Sequence, residues 1–150
     1  MAANNKKILR ILDANYNRSK EGLRVLEDIF RFLKDNYSFT RKLRRMRHNL
    51  ENAVSQNLLI DALSMRNTNA DVGRNIDKLD LERKTLSELI ISNFQRVKES
   101  LRVMEEIAKL INVNPLTFKN MRYKLYELEK EAFKRKFNIS HTRRRHRKQK

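Results

Sequence analysis

The chain of 150 residues carries 35 Lys or Arg against 18 Asp or Glu, a formal net charge of +17, and its length suits one domain with a single core. The absence of cysteine excludes disulfides and thiolate metal sites, and two glycines, one proline and no tryptophan favour an all-α fold over a sheet. No apolar leader and no run of about 18 apolar residues is present, so we expect a cytoplasmic protein that does not enter a membrane.

The first half of the chain predicts two helices. In the first, roughly Asn5–Lys34, leucine and phenylalanine recur at the period of one helical face. The break at residues 35–38 favours Ser38 as the N-cap of a second helix, about Phe39–Met65. Asn, Asp and Gly then cluster in Arg66–Asp77, which indicates a long loop.

The second half predicts two more helices. The third is expected over about Leu81–Ile111, although the capping-box spacing at Thr85 also allows its regular part to start there. The fourth begins with Asn114 as N-cap and Pro115 in the first turn, and we expect it to end near Phe137.

The two halves repeat each other. Residues 14–33 and 92–111 align with nine identities in twenty positions. The following helices also align, at an offset near 75, with Met46 opposite Met121. Because the repeating unit is a helical hairpin, the sequence predicts an antiparallel four-helix bundle made of two repeated hairpins with a pseudo-twofold axis.

Asparagine interrupts the apolar face of each repeated helix. At 100° per residue, Asn15 lies in the middle of that face, and Asn93 takes the same position in the second copy. Two interpretations are open, a buried pair that fixes helix register or a pair of ligand contacts. We expect both asparagines on facing helices in one central cleft, with the small residues Gly22 and Ser100 allowing close approach.

Arginine and glutamate accompany the asparagines. Arg18 and Arg96 lie at the edge of the apolar face, while Arg47 points inward from the second helix and Arg122 repeats it. A cation among apolar residues needs a carboxylate or an anion as partner, so Arg47 and Arg122 are expected at the walls of the cleft. The outer charges are interpreted as a solvated face with helical charge pairs: Arg24, Arg102, Glu27 and Glu105.

Together these side chains predict a polar pocket that binds a phosphorylated small molecule. Arginine matches phosphate oxygens in pairs, and asparagine offers a donor and an acceptor to a heterocycle. The motifs of P-loop, dinucleotide and zinc sites are absent, which excludes those standard sites. The loop NADVGRN is weaker evidence for a phosphate or metal cradle, with Asp71 as acid, Gly73 for a tight turn, and Arg66 and Arg74 flanking.

Four stretches of the sequence together resemble a known family. They are ILDANYNRSKEGLRVLEDIFRFL, RNTNADVG, SNFQRVKESLRVMEEIAKL and MRYKLYELEK, and they cover most of Lys7–Glu131 in order. The chain resembles the small helical hydroxymethylpyrimidine phosphate kinase family of thiamine biosynthesis, whose members occur alone or in front of thiamine phosphate synthase. The resemblance implies that hydroxymethylpyrimidine phosphate is phosphorylated to the diphosphate with ATP.

For such a reaction we assign roles from the positions of the residues on the helices. Phosphoryl transfer needs cations over the phosphate oxygens and a divalent ion, here Mg²⁺, that bridges oxygens of ATP. The expected catalytic residues are Arg18, Arg96, Arg47 and Arg122. The expected substrate-binding residues are Asn15, Asn93, Glu21, Glu99, Arg24, Arg102, Arg66, Asp71 and Gly73. The expected metal ligands are Glu21, Glu99 and Asp71.

The C-terminus leaves alternative functions open. Nine Lys or Arg and no acid lie between Lys134 and Lys150, about half of the net positive charge. We expect a helical domain over residues 1–137 and a basic, disordered tail over residues 138–150. The main alternative is a basic helical protein that binds nucleic acid through this tail, and a third is a noncatalytic partner subunit. A homodimer is the remaining partner expected.

Overall fold

The computed structural model describes residues 3–74, 83 and 85–146, with side chains described for residues 6–74, 83 and 85–134. Every regular element in this part of the chain is helical, which confirms the all-α, helical-bundle class. The elements are α1 (Ala3–Asp28), a π-helical segment (Ile29–Leu33), α2 (Tyr37–Ala53), α3 (Gln56–Ser64), α4 (Leu86–Ala108) and α5 (Pro115–His146). None of the helices in the described part is long and apolar enough to cross a membrane.

The first predicted helix ends in a π-helical turn. The backbone N–H of Lys34 donates to the carbonyl of Ile29, five residues earlier, at 3.2 Å. Asp35 then adopts a left-handed φ of 47°, which ends the helix. After this turn Phe30 stacks on Phe39 with ring centroids 4.5 Å apart, and α2 packs against α1.

The second predicted helix is two helices in the structure. Asn36, not Ser38, caps α2, because its Oδ1 accepts the N–H of Phe39 at 3.0 Å. The backbone is extended at Val54, and Ser55 Oγ then accepts an N–H from the first turn of α3 at 3.3 Å. The apolar period continues across this break, so periodicity alone did not predict it; a serine side chain offers the backbone an alternative hydrogen bond.

The third helix starts at the later of the two expected positions. Thr85 Oγ1 accepts the N–H of Glu88 at 3.1 Å, and α4 begins at Leu86. This capping bond is the one that the sequence spacing indicates. Residues 75–77 of the expected loop and residues 81, 82 and 84 of the longer expected helix lie outside the described residues.

The fourth helix begins as predicted and continues past its predicted end. Asn114 Oδ1 accepts an N–H of the first turn at 3.0 Å, and Pro115 is the first helical residue. The backbone is helical to His146, beyond the end expected near Phe137, while side chains are described only to Lys134. The division of the chain into a helical domain and a tail stays a prediction.

The packing of α1 on α4 is the most extensive contact between two elements. Small residues allow the closest approach. Ser19 Oγ lies 3.9 Å from the sulfur of Met104, and a Cβ at Gly22 would lie only 2.6 Å from Cγ2 of Val97. An added methyl group would overlap Val97 unless that side chain or the helix moved, so the close approach of α1 to α4 favours glycine here.

Within each half the paired residues run in opposite directions along the two helices. In the first half Lys20 pairs with Glu51, whereas the later Glu27 pairs with the earlier Arg44. The pairs between α4 and α5 follow the same order. This is the contact order expected of antiparallel neighbours. The pseudo-twofold relation between the halves stays a prediction.

Replacement of Gly22 with alanine is expected to lower the free energy of unfolding by about 1–3 kcal/mol, because the new methyl group overlaps Val97. At an open helical position the same change stabilises by up to about 1 kcal/mol, so the sign of the effect is informative. Urea denaturation followed by circular dichroism measures it. In a Val97→Ala background the cost of Gly22→Ala should fall; an equal cost in both backgrounds would contradict the steric explanation.

Candidate functional site

A buried carboxylate joins the helices of the first half. The side chain of Glu27, on α1, is 0% exposed. Two guanidinium groups of α2 donate to it, Arg44 Nε at 2.9 Å and Arg47 Nε at 3.2 Å, while Arg24 lies 3.8 Å away on α1 itself. Because a buried carboxylate without a partner is strongly unfavourable, these bonds tie α2 to α1.

The second half contains the equivalent pair. Glu105 of α4 is buried, and Arg122 of α5 donates to its Oε2 through Nη2 at 2.8 Å and Nε at 3.3 Å. Arg102 adds a bond of 2.9 Å to the other oxygen. The same carboxylate–guanidinium contact therefore joins the two helices of each half.

The pKa of Glu27 reflects two opposing effects. Burial raises the pKa, but the hydrogen bonds and charges of Arg44 and Arg47 together lower it by more, so it lies below its usual value near 4.5. In the second half, the hydrogen bond to Glu105 and the one to the hydroxyl of Tyr126 raise the pKa of Arg122. Glu27 and Arg122 are consequently charged at neutral pH.

The solvated face expected for the outer charges is wrong for its two glutamates. Glu27 and Glu105 are buried, whereas Arg24 and Arg102 are exposed as expected. The helical wheel could have shown this, because Glu27 lies only 20° from Tyr16, a buried residue of α1. A second indication was available in the sequence. Arg47 and Arg122 were predicted to point inward from the following helices, and each buried guanidinium needs a carboxylate partner.

Arg47 and Arg122 point inward, as the sequence predicts, and their partners are carboxylates. Their side chains are 12% and 13% exposed. Arg47 also reaches Glu51 at 3.4 Å, and Arg122 reaches the hydroxyl of Tyr126 at 3.0 Å. Both guanidinium groups thus make ion pairs within the fold, and a role for these arginines in phosphate binding stays a prediction.

Asn15 and Asn93 are both buried, and each makes its side-chain hydrogen bond within its own helix. Each donates its side-chain N–H to the carbonyl four residues earlier, at 2.9 Å for Asn15 and 2.8 Å for Asn93. The carbonyl of Asn93 lies 3.5 Å from the Cβ position of Gly22, which is about 10 Å along α1 from Asn15. No hydrogen bond between the two asparagines supports the expected cleft, so the single central cleft around them stays a prediction.

The amide oxygen of Asn15 has no hydrogen-bond donor among the described residues. In the part of the chain that the structure describes, this oxygen accepts no hydrogen bond, although the residue is 6% exposed. No fully buried side-chain oxygen there lacks a partner, so this oxygen must keep some accessible surface. The same holds for the amide oxygen of Asn93.

The other expected site residues of α1 and α4 lie on the surface. Arg18 is exposed and has no partner among the described residues, whereas the exposed Arg96 makes an interaction within the chain. Glu21 is exposed, and Glu99 accepts a hydrogen bond from Gln95 at 3.1 Å. Arg102 bonds Glu106 at 2.8 Å besides its contact with Glu105, so its charge is used within the second half.

The loop after α3 is anchored to α1. Arg66 donates to both oxygens of Asp13, from Nε and Nη2, at 2.7 Å each. The next residue, Asn67, accepts a bond from Arg10 at 3.4 Å through its carbonyl. Within the loop, Asp71 Oδ1 accepts the N–H of Gly73 at 3.0 Å, which is the tight turn expected there.

The expected metal ligands do not form a cluster. Glu21, Glu99 and Asp71 are all described, and the described residues contain no group of three or more His, Cys, Asp or Glu side chains able to hold a metal ion. Because Mg²⁺ is often held by one or two carboxylates together with substrate phosphates, a role of Glu21, Glu99 and Asp71 in Mg²⁺ binding stays a prediction.

Sequence reasoning missed two depressions near α2. A groove of about 700 Å³ lies between α2 and α5, and a smaller one of about 440 Å³ lies beside the first turn of α2. No residue that the sequence assigned to the site lines either one. Their only signal in the sequence is a row of arginines early in α2, at Arg41, Arg44 and Arg45.

The predicted nucleic-acid alternative rests mainly on the tail. The side chains of residues 135–150 lie outside the described part of the structure. Nucleic-acid binding and the expected homodimer accordingly stay predictions.

Comparison with known proteins identifies relatives over most of the chain. The ThiD2 family model matches residues 10–131. The thiamine-phosphate synthase of Thermosynechococcus vestitus is 35% identical over 130 residues, which is 85% of this chain and 36% of the relative. The thiamine-phosphate synthases of Nostoc punctiforme and Rhodopirellula baltica are 36% and 34% identical over 81% and 86% of this chain, and over 34% and 35% of their own lengths. The chain thus spans about a third of these curated relatives. No solved structure matches it.

These names correct the expected enzyme class. The sequence predicted an ATP-dependent hydroxymethylpyrimidine phosphate kinase, whereas the relatives are named thiamine-phosphate synthase, which is a different enzyme. The names of the relatives therefore contradict the assignment of this chain as a hydroxymethylpyrimidine phosphate kinase.

Glu27→Gln is expected to lower the free energy of unfolding by about 3 kcal/mol at pH 7, because it removes the charge partner of a mostly buried arginine. Glu127→Gln, at an exposed glutamate of α5, is the matched control and should change stability by less than about 0.5 kcal/mol. Urea denaturation measures both. Equal effects of the two substitutions would show that the buried pair contributes nothing particular.

The difference between wild type and Glu27→Gln is also expected to depend on pH. Since folding lowers the pKa of Glu27, its contribution is complete above the unfolded pKa and is lost as the pH falls through the lower folded pKa. The two proteins should therefore converge in stability as the pH drops below about 4.5. Denaturation series from pH 7 to 3 test this; a constant difference over the whole range would exclude the carboxylate charge as the cause.

Proposed function

The chain belongs to the ThiD2 family. We propose that it acts in thiamine biosynthesis by binding a small phosphorylated pyrimidine. The relatives named thiamine-phosphate synthase support the pathway, because they match more than four fifths of the chain. The α1 surface supports this ligand class. Arg18 has no ion-pair partner among the described residues, and the amide oxygen of Asn15, three residues earlier, accepts no hydrogen bond from them.

The loop after α3 is held against α1 by an ion pair, and this contact supports the proposal most directly. The ion pair of Asp13 with Arg66 joins the two stretches of sequence that bear the clearest motifs, ILDANYNRSKEGLRV on α1 and RNTNADVG in the loop. Two short bonds between a half-exposed arginine and a largely buried carboxylate hold this loop against the helix. The hydrogen bond with Asp13 raises the pKa of Arg66, and the nearby charge of Glu21 adds to the effect.

The ligand contacts proposed on α1 follow from helical spacing. Arg18 lies three residues after Asn15, so their side chains are neighbours about 5–6 Å apart at Cβ. Arg18 has no protein partner in the described part and is the group available to donate to phosphate oxygens. The amide oxygen of Asn15 accepts no hydrogen bond from the described residues, so it could accept one from the amino group of a pyrimidine.

We propose this site in the first half of the chain. The second copy repeats the asparagine and the arginine as Asn93 and Arg96, but Ile91 stands where the first copy has Asp13. Ile91 is 49% exposed and cannot hold an arginine. The loop anchor is consequently specific to the first half, and the duplicated helix serves there as the packing partner across the centre of the bundle.

Arg18→Ala is expected to weaken the binding of hydroxymethylpyrimidine phosphate about tenfold or more, because a charged hydrogen bond contributes about 1.5–3 kcal/mol. Isothermal titration calorimetry measures the dissociation constant, and far-ultraviolet circular dichroism checks the fold. Lys7→Ala is the matched control, since it removes one exposed cation of the same helix. It should leave the affinity unchanged.

Two results would overturn the proposal. The first is failure of the wild-type protein to bind the phosphorylated pyrimidine at all, and the second is equal affinity of the wild type and Arg18→Ala. Titration with ATP and Mg²⁺ in the same cell measures whether the cofactors expected from the sequence bind.

A further inference from the structure

The groove between α2 and α5 is a second candidate binding site, separate from the α1 surface. These two helices contact each other far less than α4 contacts α5. Lys42 of α2 reaches Glu131 of α5 at 2.9 Å, and this bond spans the groove. The volume of about 700 Å³ is within the range of sites for small molecules, about 300–1,000 Å³.

The walls of this groove carry cations that the protein does not neutralise. Arg41 and Arg45 on α2 and Lys124 on α5 line it, and none of the three has a hydrogen bond or ion pair in the described part of the chain. Glu127 is the unpaired carboxylate among the lining residues, so the positive charges prevail. Unlike the arginines bound to Glu27 and Glu105, these cations remain available to an external anion.

The floor of the groove is apolar. Met46 and Met121, which occupy equivalent positions in the two repeats, are about 5% and 4% exposed, and Leu128 lies beside them at 7%. Thioether side chains adapt to the shape of a ligand and contact the edges of aromatic rings favourably. The floor thus suits a flat apolar or heterocyclic group.

The cations and the apolar residues that line this groove together favour a ligand with an anionic group and an apolar ring. We propose that this groove binds a small phosphorylated molecule with a flat ring, with the ring on Met46 and Met121 and the phosphate at Arg41, Arg45 and Lys124. Tyr37 and Ser38 at the start of α2 also line the groove, and the positive end of the helix dipole there favours the same charge. The acidic side chains in the groove interrupt a continuous basic track, which disfavours a nucleic-acid strand.

Methionine methyl signals offer a direct test with phenyl phosphate as the probe. The full chain, labelled at methionine methyl groups, is titrated and followed by carbon–proton correlation spectra. The signals of Met46 and Met121 are expected to shift, while those of Met65 and Met104 stay in place as internal controls. Phenol and inorganic phosphate separately should each bind at least fivefold more weakly than phenyl phosphate, because each lacks one half of the ligand.

A charge-matched pair of double variants completes the test. Arg41→Ala/Arg45→Ala should weaken phenyl phosphate binding at least fivefold. Lys119→Ala/Lys130→Ala removes two exposed cations of α5 outside the groove and should leave the binding unchanged. The signals of Met46 and Met121 report on the groove alone, so their failure to shift is distinguishable from a loss of binding at Arg18 on α1.

Three outcomes would overturn the proposal. They are shifts confined to Met65 or Met104, equal weakening in both double variants, and tighter binding of a single-stranded oligonucleotide that shifts the same two methionines. The last result would reassign the groove to nucleic acid.

Discussion

The buried carboxylate–arginine pair is the interaction on which the rest of the structure depends. Glu27 with Arg47 in the first half, and Glu105 with Arg122 in the second, place full charges within otherwise apolar helix contacts. A charge in such a position is tolerated only with its partner in place, so each pair restricts how the two helices of a half can slide or rotate.

This constraint also decides which cations remain for ligands. The arginines that the sequence places inward, Arg47 and Arg122, are bound by carboxylates, whereas Arg18 on α1 and Arg41 and Arg45 in the groove have no ion-pair partner among the described residues. A cation already neutralised in the core gains little from an external phosphate, and moving it would expose a buried carboxylate. The cations that remain available to a ligand therefore lie at the exposed periphery of the bundle.

The two halves share a framework but differ in what they present. Both use the same ion pair and the same inward asparagine, yet only the first has Asp13, which anchors the loop after α3. Gly22 is likewise matched by Ser100, so the close approach to Val97 comes from one side of the contact. The two halves therefore share the carboxylate–arginine pair and differ at the position of Asp13.

The sequence by itself determined the helical class, the repeat, the caps at Thr85 and Asn114, and the inward direction of Arg47 and Arg122, because these depend on composition, period and local hydrogen bonding. Only the tertiary structure decided the break at Val54, the burial of Glu27 and Glu105, the anchoring of Arg66 on Asp13, and the groove between α2 and α5. Each of these depends on which residues of other helices come close, and helical periodicity shows only the side of a helix that faces inward, not the partner that it meets there.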